Sequence, residues 1–310
     1  MTKLLWPDVL HTPTFDGVDV QVYDATAPLP ESAADAEMFV VWGRHSDHLP
    51  EDARLLNRVR VVQGLMAGTE VLECAGFGDE VAICSGVGLH DKPVAEHALA
   101  LVLSLVRRLP ALRDAQREHT WVREFAGHQP LHHDGPITTL LDANVLIWGF
   151  GSIATTLAPM LEALGAHVRG VARRAGERDG YEVITEASLA ETLAGTDVLV
   201  SILPGGEATR HVIDAERLAQ LPPHAYIVNV GRGSVLDEDA LLAALQSGRL
   251  GGAALDVTEV EPLPADSPLW SEPSLILTPH CAGGRPVGSS ELVAANLEAL
   301  RSGGALRNRV

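Results

Sequence analysis

The sequence predicts an α/β protein of two domains, each built on a parallel sheet. Three observations carry that prediction. Short apolar runs of strand length alternate with segments of helical period over most of the chain. One stretch, from Asn144 to Arg174, reads as strand, glycine turn, helix and strand in immediate succession. At 310 residues the chain is also long enough for two domains with substantial cores.

The Asn144–Arg174 stretch, NVLIWGFGSIATTLAPMLEALGAHVRGVARR, is the most informative element. Val145 to Trp148 is an apolar run of one buried strand. Gly149-Phe150-Gly151-Ser152-Ile153-Ala154 follows at once. Ile153, Leu157, Met160, Leu161 and Leu164 then share one helix face, and Gly165 can end the helix. Val168 to Ala172 is a second strand. This order is the dinucleotide-binding βαβ unit. Gly149 permits the tight turn, and Gly151 lets backbone approach a pyrophosphate. The helix start at Ser152 and Ile153 offers that anion free N–H groups and a positive dipole end. The glycines alone would also suit an ordinary strand–helix turn; the flanking elements decide between the two. Ala154 stands where a third glycine is common. Pro159 falls inside the predicted helix, where it removes one hydrogen bond and costs about 3 kcal/mol or kinks the helix.

The end of the second strand bears on cofactor choice. In NAD-binding units an acidic residue about 20 positions beyond the glycines accepts hydrogen bonds from the adenosine ribose. Here that position is Ala172, and Arg173 and Arg174 follow. Loss of the anion and gain of two guanidinium groups suit a 2′-phosphate. The expectation is NADPH over NADH, with NAD as the alternative cofactor.

Before this stretch, Val18–Tyr23, Met38–Trp42, Arg60–Gln63 and Val81–Cys84 are strand candidates among Pro-, Asp- and Glu-rich turns, which suggests a small α/β domain. Gly64 to Thr69 is a loop of small residues able to present backbone N–H groups to a carboxylate. Pro93 opens a new element, and Val94–Leu109 is apolar almost all round, a helix to be covered by a core or a subunit interface. Residues 110–142 read as a polar loop. Its histidines, His128, His132 and His133, lack the Cys or Glu that would complete a metal set, so no metal is expected. After the central stretch, strands are expected at Asp197–Leu203, Ala225–Val230, Ala253–Val257 and Leu275–Thr278. Arg232, Asp256 and His280 all lie at or beyond the carboxyl ends of these strands, where ligands of such sheets gather.

Composition narrows the class further. The formal net charge is −18, which argues against nucleic acid or an anionic membrane as partner. Lys3 and Lys92 are the only lysines, leaving few candidates for Schiff-base chemistry. Three cysteines, Cys74, Cys84 and Cys281, form neither a ligand spacing nor an even disulfide set, which suits a reducing cytoplasm. The N-terminus lacks the apolar core of a signal peptide, and the longest apolar stretch, Ala98–Val106, is too short to span a bilayer. Cys281, beside His280, is expected to be a small buried residue rather than a nucleophile.

Three segments in order carry a resemblance: GFGSIA, then VNVGRGSVLDEDALLAALQSGRLGGAALDVTEVEPLP, then PLWSEPSLILTPHCAG. The chain resembles the D-isomer-specific 2-hydroxyacid dehydrogenases over most of its length, least before about residue 60. The resemblance implies two Rossmann-like domains. Residues 1–92, completed by a last helix over about 286–310, would bind substrate; residues 93–285 would form the cofactor domain inserted between them, with the reaction in the cleft. It puts the catalytic arginine at Arg232, the glutamate at Glu261 and the histidine at His280. Arg232 would hold the substrate carboxylate and polarise its carbonyl, and His280, oriented by Glu261, would supply the proton. The cofactor set implied is Gly149, Phe150, Gly151, Ser152, Ile153, Arg173, Arg174, Leu203, Pro204, Thr209, Val230, Gly231, Asp256 and Ala282. Ala67, Gly68, Thr69 and Trp42 would join Arg232 and His280 around the substrate. Past Gly283 the chain reads Gly284-Arg285-Pro286-Val287, where many relatives have a Thr-rich turn.

The activity implied is reduction of a small 2-oxo acid, such as glyoxylate or hydroxypyruvate, to the D-hydroxy acid. Alternatives are a phosphoglycerate-type biosynthetic oxidation and a non-catalytic cofactor-sensing protein. Formate oxidation fits less well, because Glu261 stands where formate enzymes use a glutamine. A homodimer through the cofactor domain is expected, as is usual in the family.

Overall fold

The structure, a computed structural model, describes residues 1–127 and 137–310. His128, His132 and His133 lie outside the described residues. The chain divides into two compact units, Met1–His90 with Arg285–Val310, and Asp91–Gly284. The second is therefore inserted in sequence within the first.

The first unit holds a five-stranded, wholly parallel sheet: β1 (Thr2–Pro7), β2 (Val18–Tyr23), β3 (Met38–Val41), β4 (Val61–Gly64) and β5 (Ala82–Cys84). The order is β2-β1-β3-β4-β5, a doubly wound topology. Helix α1 (Leu49–Leu55) and the short α2 (Glu70–Glu73) connect strands. β3 and β4 are buried along their whole length, as their unbroken apolar runs require of a sheet covered on both faces. One core gathers Leu4, Trp6, Met38 and Val40 against Leu292, Val293 and Leu297 of the C-terminal helix Ser289–Ser302. The other gathers Leu5, Phe39, Val41 and Val62 against Leu49 and Leu72. Strand β1 was not among the expected strands, the first of which began at Val18; Leu4-Leu5-Trp6 is its buried centre. The last helix also ends earlier than expected, at Ser302. The tail returns to the sheet, where Arg309 bridges Cys84 and the Val310 amide donates to the Ile83 carbonyl at 3.0 Å.

The second unit opens with α3 (Asp91–Val106) and α4 (Leu109–Arg117). The sequence reading had one helix over Val94–Leu109 followed by a loop. Arg108 adopts φ 52°, which breaks the helix in two, and Pro110 is accommodated in the first turn of α4. Pro93 is likewise tolerated in the first turn of α3. An eight-stranded sheet follows: β6 (Asn144–Trp148), β7 (His167–Val171), β8 (Gly176–Arg178), β9 (Tyr181–Ile184), β10 (Val198–Ser201), β11 (Tyr226–Asn229), β12 (Gly252–Leu255) and β13 (Leu275–Leu277). Its order is β13-β12-β11-β10-β6-β7-β9-β8, and every pair is parallel except β8 with β9. That hairpin at the sheet edge was not anticipated. Helices α3 and α5 (Ser152–Glu162) cover one face; α6 (Leu189–Leu193), α7 (Ala215–Gln220) and α8 (Glu238–Gln246) pack on the other. Helix α5 runs through Pro159, whose residue is exposed, while Leu157 and Leu161 are fully buried. Leu164, expected on that buried face, is 41% exposed because the helix has already ended at Glu162. Gly165 follows with φ 90°.

Candidate active site

The sheet order reverses between β6 and β10, which lie side by side. A doubly wound sheet opens its ligand crevice at such a switch point. The loop Gly149–Gly151 leaves β6 here. Gly149 has φ 101°, and a Cβ on it would lie 2.6 Å from the Ile202 carbonyl oxygen at the end of β10, so only glycine fits. Gly151 is different: a Cβ there would meet nothing within 4 Å. It faces open space and caps α5 with no side-chain hydrogen bond. Ser152 and Ile153 therefore begin α5 with first-turn amides that have no intrahelical acceptor and could receive an anion. These features fit a dinucleotide pyrophosphate.

The other residues expected to hold a cofactor surround the same strand ends. Leu203 is buried, while Pro204 is exposed with its carbonyl held by the Thr209 hydroxyl at 2.8 Å. Gly231 packs so closely on the Leu203 backbone that a Cβ would come within 2.5 Å of its oxygen. Phe150 and Val230 are buried. The Phe150 ring covers Gly170, so this side chain belongs to the core and only its backbone faces the loop. Arg173 and Arg174 are exposed just after β7, and neither guanidinium has a protein partner among the described residues. Arg178 donates to the carbonyls of Phe150 and, at 3.3 Å, of Arg174, tying the glycine loop to the arginine turn.

Strand register assembles the rest. Asn229, Leu255 and Leu277 are aligned neighbours on β11, β12 and β13. Arg232 lies three residues beyond the first, Asp256 one beyond the second and His280 three beyond the third. Adjacent strands are about 4.8 Å apart, so these loops emerge side by side. The Arg232 turn is stapled by buried Asn229, whose side chain accepts from the Gly231 amide at 3.2 Å and donates to the Arg232 carbonyl at 3.0 Å. The guanidinium makes one bond, to the Gly231 carbonyl at 2.9 Å, and no ion pair among the described residues. Its other N–H groups can grip a carboxylate.

His280 Nδ1 lies 2.7 Å from Glu261 Oε2, and the other oxygen of Glu261 accepts the Thr258 amide at 3.1 Å. A carboxylate only accepts, so Nδ1 carries a proton toward it and Nε2 faces away. His280 itself has φ 51°, an uncommon conformation for a residue with a side chain. It is held by its amide, 2.7 Å from the Asp256 carbonyl. A cavity of about 610 Å³ opens beside it, lined by Glu261, Leu263, Trp270, Leu277 and Pro279.

Asp256 is 2% exposed. Its carboxylate accepts from the Thr278 hydroxyl at 2.6 Å, the Cys281 amide at 2.9 Å and the Ala282 amide at 3.0 Å. His97 of α3 completes the group, with Nε2 3.0 Å from Thr278 Oγ1 and 3.3 Å from Asp256 Oδ1. His97 was not among the expected site residues. Cys281 is exposed, contrary to expectation, although both its amide, at 2.9 Å, and its thiol, at 3.6 Å, meet Asp256 Oδ1. Burial and the Asp256 charge push its thiol up from the ordinary range, which leaves it a poor nucleophile. His97, Asp256 and Cys281 bring their ligand-type atoms within 4.8 Å of one another, but Asp256 already accepts hydrogen bonds at both oxygens.

The expected substrate-loop residues lie in the first unit. Among the described residues the amides of Ala67, Gly68 and Thr69 donate to no protein group, and the Thr69 hydroxyl is bound to Glu73 at 2.5 Å. Trp42 stacks on His90 with centroids 5.3 Å apart. Arg44, two residues on, is buried and neutralised by Asp52, with contacts of 2.5 and 2.6 Å.

Comparison with known proteins agrees with this layout. Residues 99–282 match the family described as D-isomer specific 2-hydroxyacid dehydrogenase, NAD binding domain. A glyoxylate/hydroxypyruvate reductase A of Salmonella paratyphi B is 34% identical over 228 residues, covering 73% of this chain and 69% of that protein. A D-isomer specific 2-hydroxyacid dehydrogenase family protein from Aeromonas salmonicida is similar in structure, with TM-score 0.82 and 30% identity over 100% of this chain and 98% of that one. An NADPH-dependent glyoxylate/hydroxypyruvate reductase from Sinorhizobium meliloti, solved with NADP and sulfate, gives TM-score 0.81 and 25% identity over 100% of this chain and 98% of that one. With the glycine loop, the strand-end constellation and these matches together, the chain belongs to the D-isomer specific 2-hydroxyacid dehydrogenases, a family of NAD(P)-dependent oxidoreductases.

Proposed function

We propose that the protein reduces a small 2-oxo acid of the glyoxylate or hydroxypyruvate kind to the D-2-hydroxy acid, with NADPH as the preferred reductant. The observation that carries this reading is the Glu261–His280 pair, Oε2 to Nδ1 at 2.7 Å, on the strand end next but one to an arginine with no acidic partner among the described residues. The bound nicotinamide would supply the hydride. Arg232 binds the substrate carboxylate and withdraws density from its carbonyl through the remaining N–H groups. His280 gives the proton on Nε2 to the oxygen that becomes the hydroxyl, and Glu261 holds the ring and balances its charge. Gly151, Ser152 and Ile153 take the pyrophosphate, and Asp256 and Ala282 lie at the nicotinamide end.

The preference for NADPH rests on Arg173 and Arg174, exposed and without a partner among the described residues, just after Ala172, where an NAD-type unit has its acidic residue. Names of relatives point the same way: the Sinorhizobium reductase is described as NADPH-dependent and as acting on glyoxylate and hydroxypyruvate. A cytoplasmic homodimer joined through the second unit belongs to the same reading. Leu109, Leu112 and Trp121 leave apolar surface exposed at α4 and just beyond it, with Trp121 82% exposed, and no helix among the described residues is long and apolar enough to cross a membrane. Light scattering at micromolar concentration should give twice the chain mass; a monomer would refute the assembly.

The test of function is oxidation of NADPH against a panel of 2-oxo acids, with His280→Ala and Arg232→Ala alongside. His280→Ala should lose most turnover while binding NADPH normally, and Arg232→Ala should lose both substrate affinity and turnover. Near-normal rates in either variant would overturn the assignment.

A further inference from the structure

The group around buried Asp256 contains a side chain from a distant helix that the proposed reaction does not use. His97 comes from the first half of α3, which packs on β11 and β12. Its Nε2 meets two oxygen atoms, Thr278 Oγ1 and Asp256 Oδ1. The Thr278 hydroxyl spends its proton on Asp256 at 2.6 Å, so a lone pair is what it turns toward the imidazole. Both neighbours of Nε2 are therefore acceptors, and Nε2 carries the hydrogen. The arrangement is a relay of donors, His97 to Thr278 to Asp256, closed by a direct His97–Asp256 contact.

Asp256 is the anchor of the turn that presents His280. Its side chain takes the amides of Cys281 and Ala282, and its carbonyl takes the amide of His280. His280 sits in the left-handed region, φ 51°, a conformation that persists only where surroundings over-determine it. A buried carboxylate holds its position only while its donors hold theirs. His97 is the donor that ties this anchor to a long helix, whereas the others come from the turn itself.

We propose that His97 is a positioning residue, which fixes the Thr278–Ala282 turn through Asp256 and so aims His280. The inference rests on His280 being the proton donor. It differs from a general packing role because it assigns the effect to one N–H group, which glutamine can reproduce at the Nε2 position and alanine cannot.

The experiment compares His97→Ala and His97→Gln with the unaltered protein by two readouts. One is alkylation of Cys281 by iodoacetamide, followed at its own peptide by mass spectrometry, because Cys281 is exposed while its amide and its thiol are both held by Asp256, so that its reactivity reports the hold on the turn. The other is steady-state reduction of a 2-oxo acid. His97→Ala should alkylate at least about fivefold faster at Cys281, since local opening of the turn becomes easier. Its kcat should fall roughly ten- to a hundredfold with the Michaelis constant for NADPH within about twofold, as expected of a misaimed acid and an intact cofactor site. His97→Gln should recover both. Unchanged alkylation and kcat in His97→Ala would overturn the proposal, and so would a glutamine variant no better than alanine. If the unaltered protein turns over no 2-oxo acid, the proposed function fails, while the Cys281 rates still decide whether His97 holds the turn.

Discussion

Replacing Arg173 and Arg174 together by serine tests whether their charge selects the cofactor. Both side chains are exposed after β7, and neither is engaged by another of the described residues, so their removal should leave the fold intact. Each would meet the 2′-phosphate by charge-assisted hydrogen bonds, stronger than neutral ones but weakened by solvent at an exposed site. About 1–1.5 kcal/mol each is a fair magnitude. Together they give about 2–3 kcal/mol, which at 1.4 kcal/mol per tenfold raises the Michaelis constant for NADPH roughly 30- to 150-fold. NADH has no phosphate at this place, and its constant should move by less than about threefold. Initial rates followed by absorbance of the reduced nicotinamide, with each cofactor varied at saturating 2-oxo acid, provide the assay. Added salt should raise the NADPH constant of the unaltered enzyme more than that of the variant, because the screened attraction is present only in the former. Equal catalytic efficiency with both cofactors in the unaltered enzyme would refute the reasoning. A variant that loses NADPH and NADH use in parallel would do the same.

Other consequences are open to measurement. Gly149→Ala forces a Cβ against the Ile202 carbonyl, at 2.6 Å and φ 101°; it should lower the unfolding free energy by about 1–3 kcal/mol and weaken cofactor binding, read by urea titration and by NADPH fluorescence. Trp6→Ala, at 1% exposure in the first unit, should cost about 3–5 kcal/mol, read as a fall in the urea midpoint. Burial pushes the Cys84 thiol up to about 11 from 9.0. Its neutral form therefore contributes stability that is complete below pH 9 and lost as pH rises toward 11. Cys84→Ala should flatten that alkaline fall in the urea midpoint, and equal falls in both proteins would contradict the assignment.

The parts of the fold and site that could be read in the chain are those encoded over short distances. Val145–Ala154 holds a strand, its turn glycines and a helix start within ten positions, and the structure places them in that order. The strand ends before Arg232, Asp256 and His280 were legible for the same reason, since each is an apolar run broken by glycine, aspartate or proline. What the sequence hid depends on distance or context. Strand β1 lies among the first ten residues, where a leader was the competing question, and its partner β2 is only half-buried. Helix α4 is polar, LPALRDAQR, and its stop and start at Arg108 depend on a left-handed residue that is not a glycine. His97 and Thr278 are 181 positions apart, so nothing local in α3 announces their contact. The exposure of Cys281 follows from which way the turn after His280 faces, which is set by Asp256 rather than by neighbouring residues.

The central claim is stereospecific reduction by the Arg232, Glu261 and His280 constellation, and one measurement addresses it directly. The unaltered protein is incubated with hydroxypyruvate and NADPH, and the product is resolved by chiral chromatography while NADPH is followed by absorbance. The account predicts D-glycerate formed in equal amount to the NADPH oxidised, and almost none when His280→Ala replaces the unaltered protein at the same concentration. The L-isomer, a racemate, or the same yield from His280→Ala would contradict it.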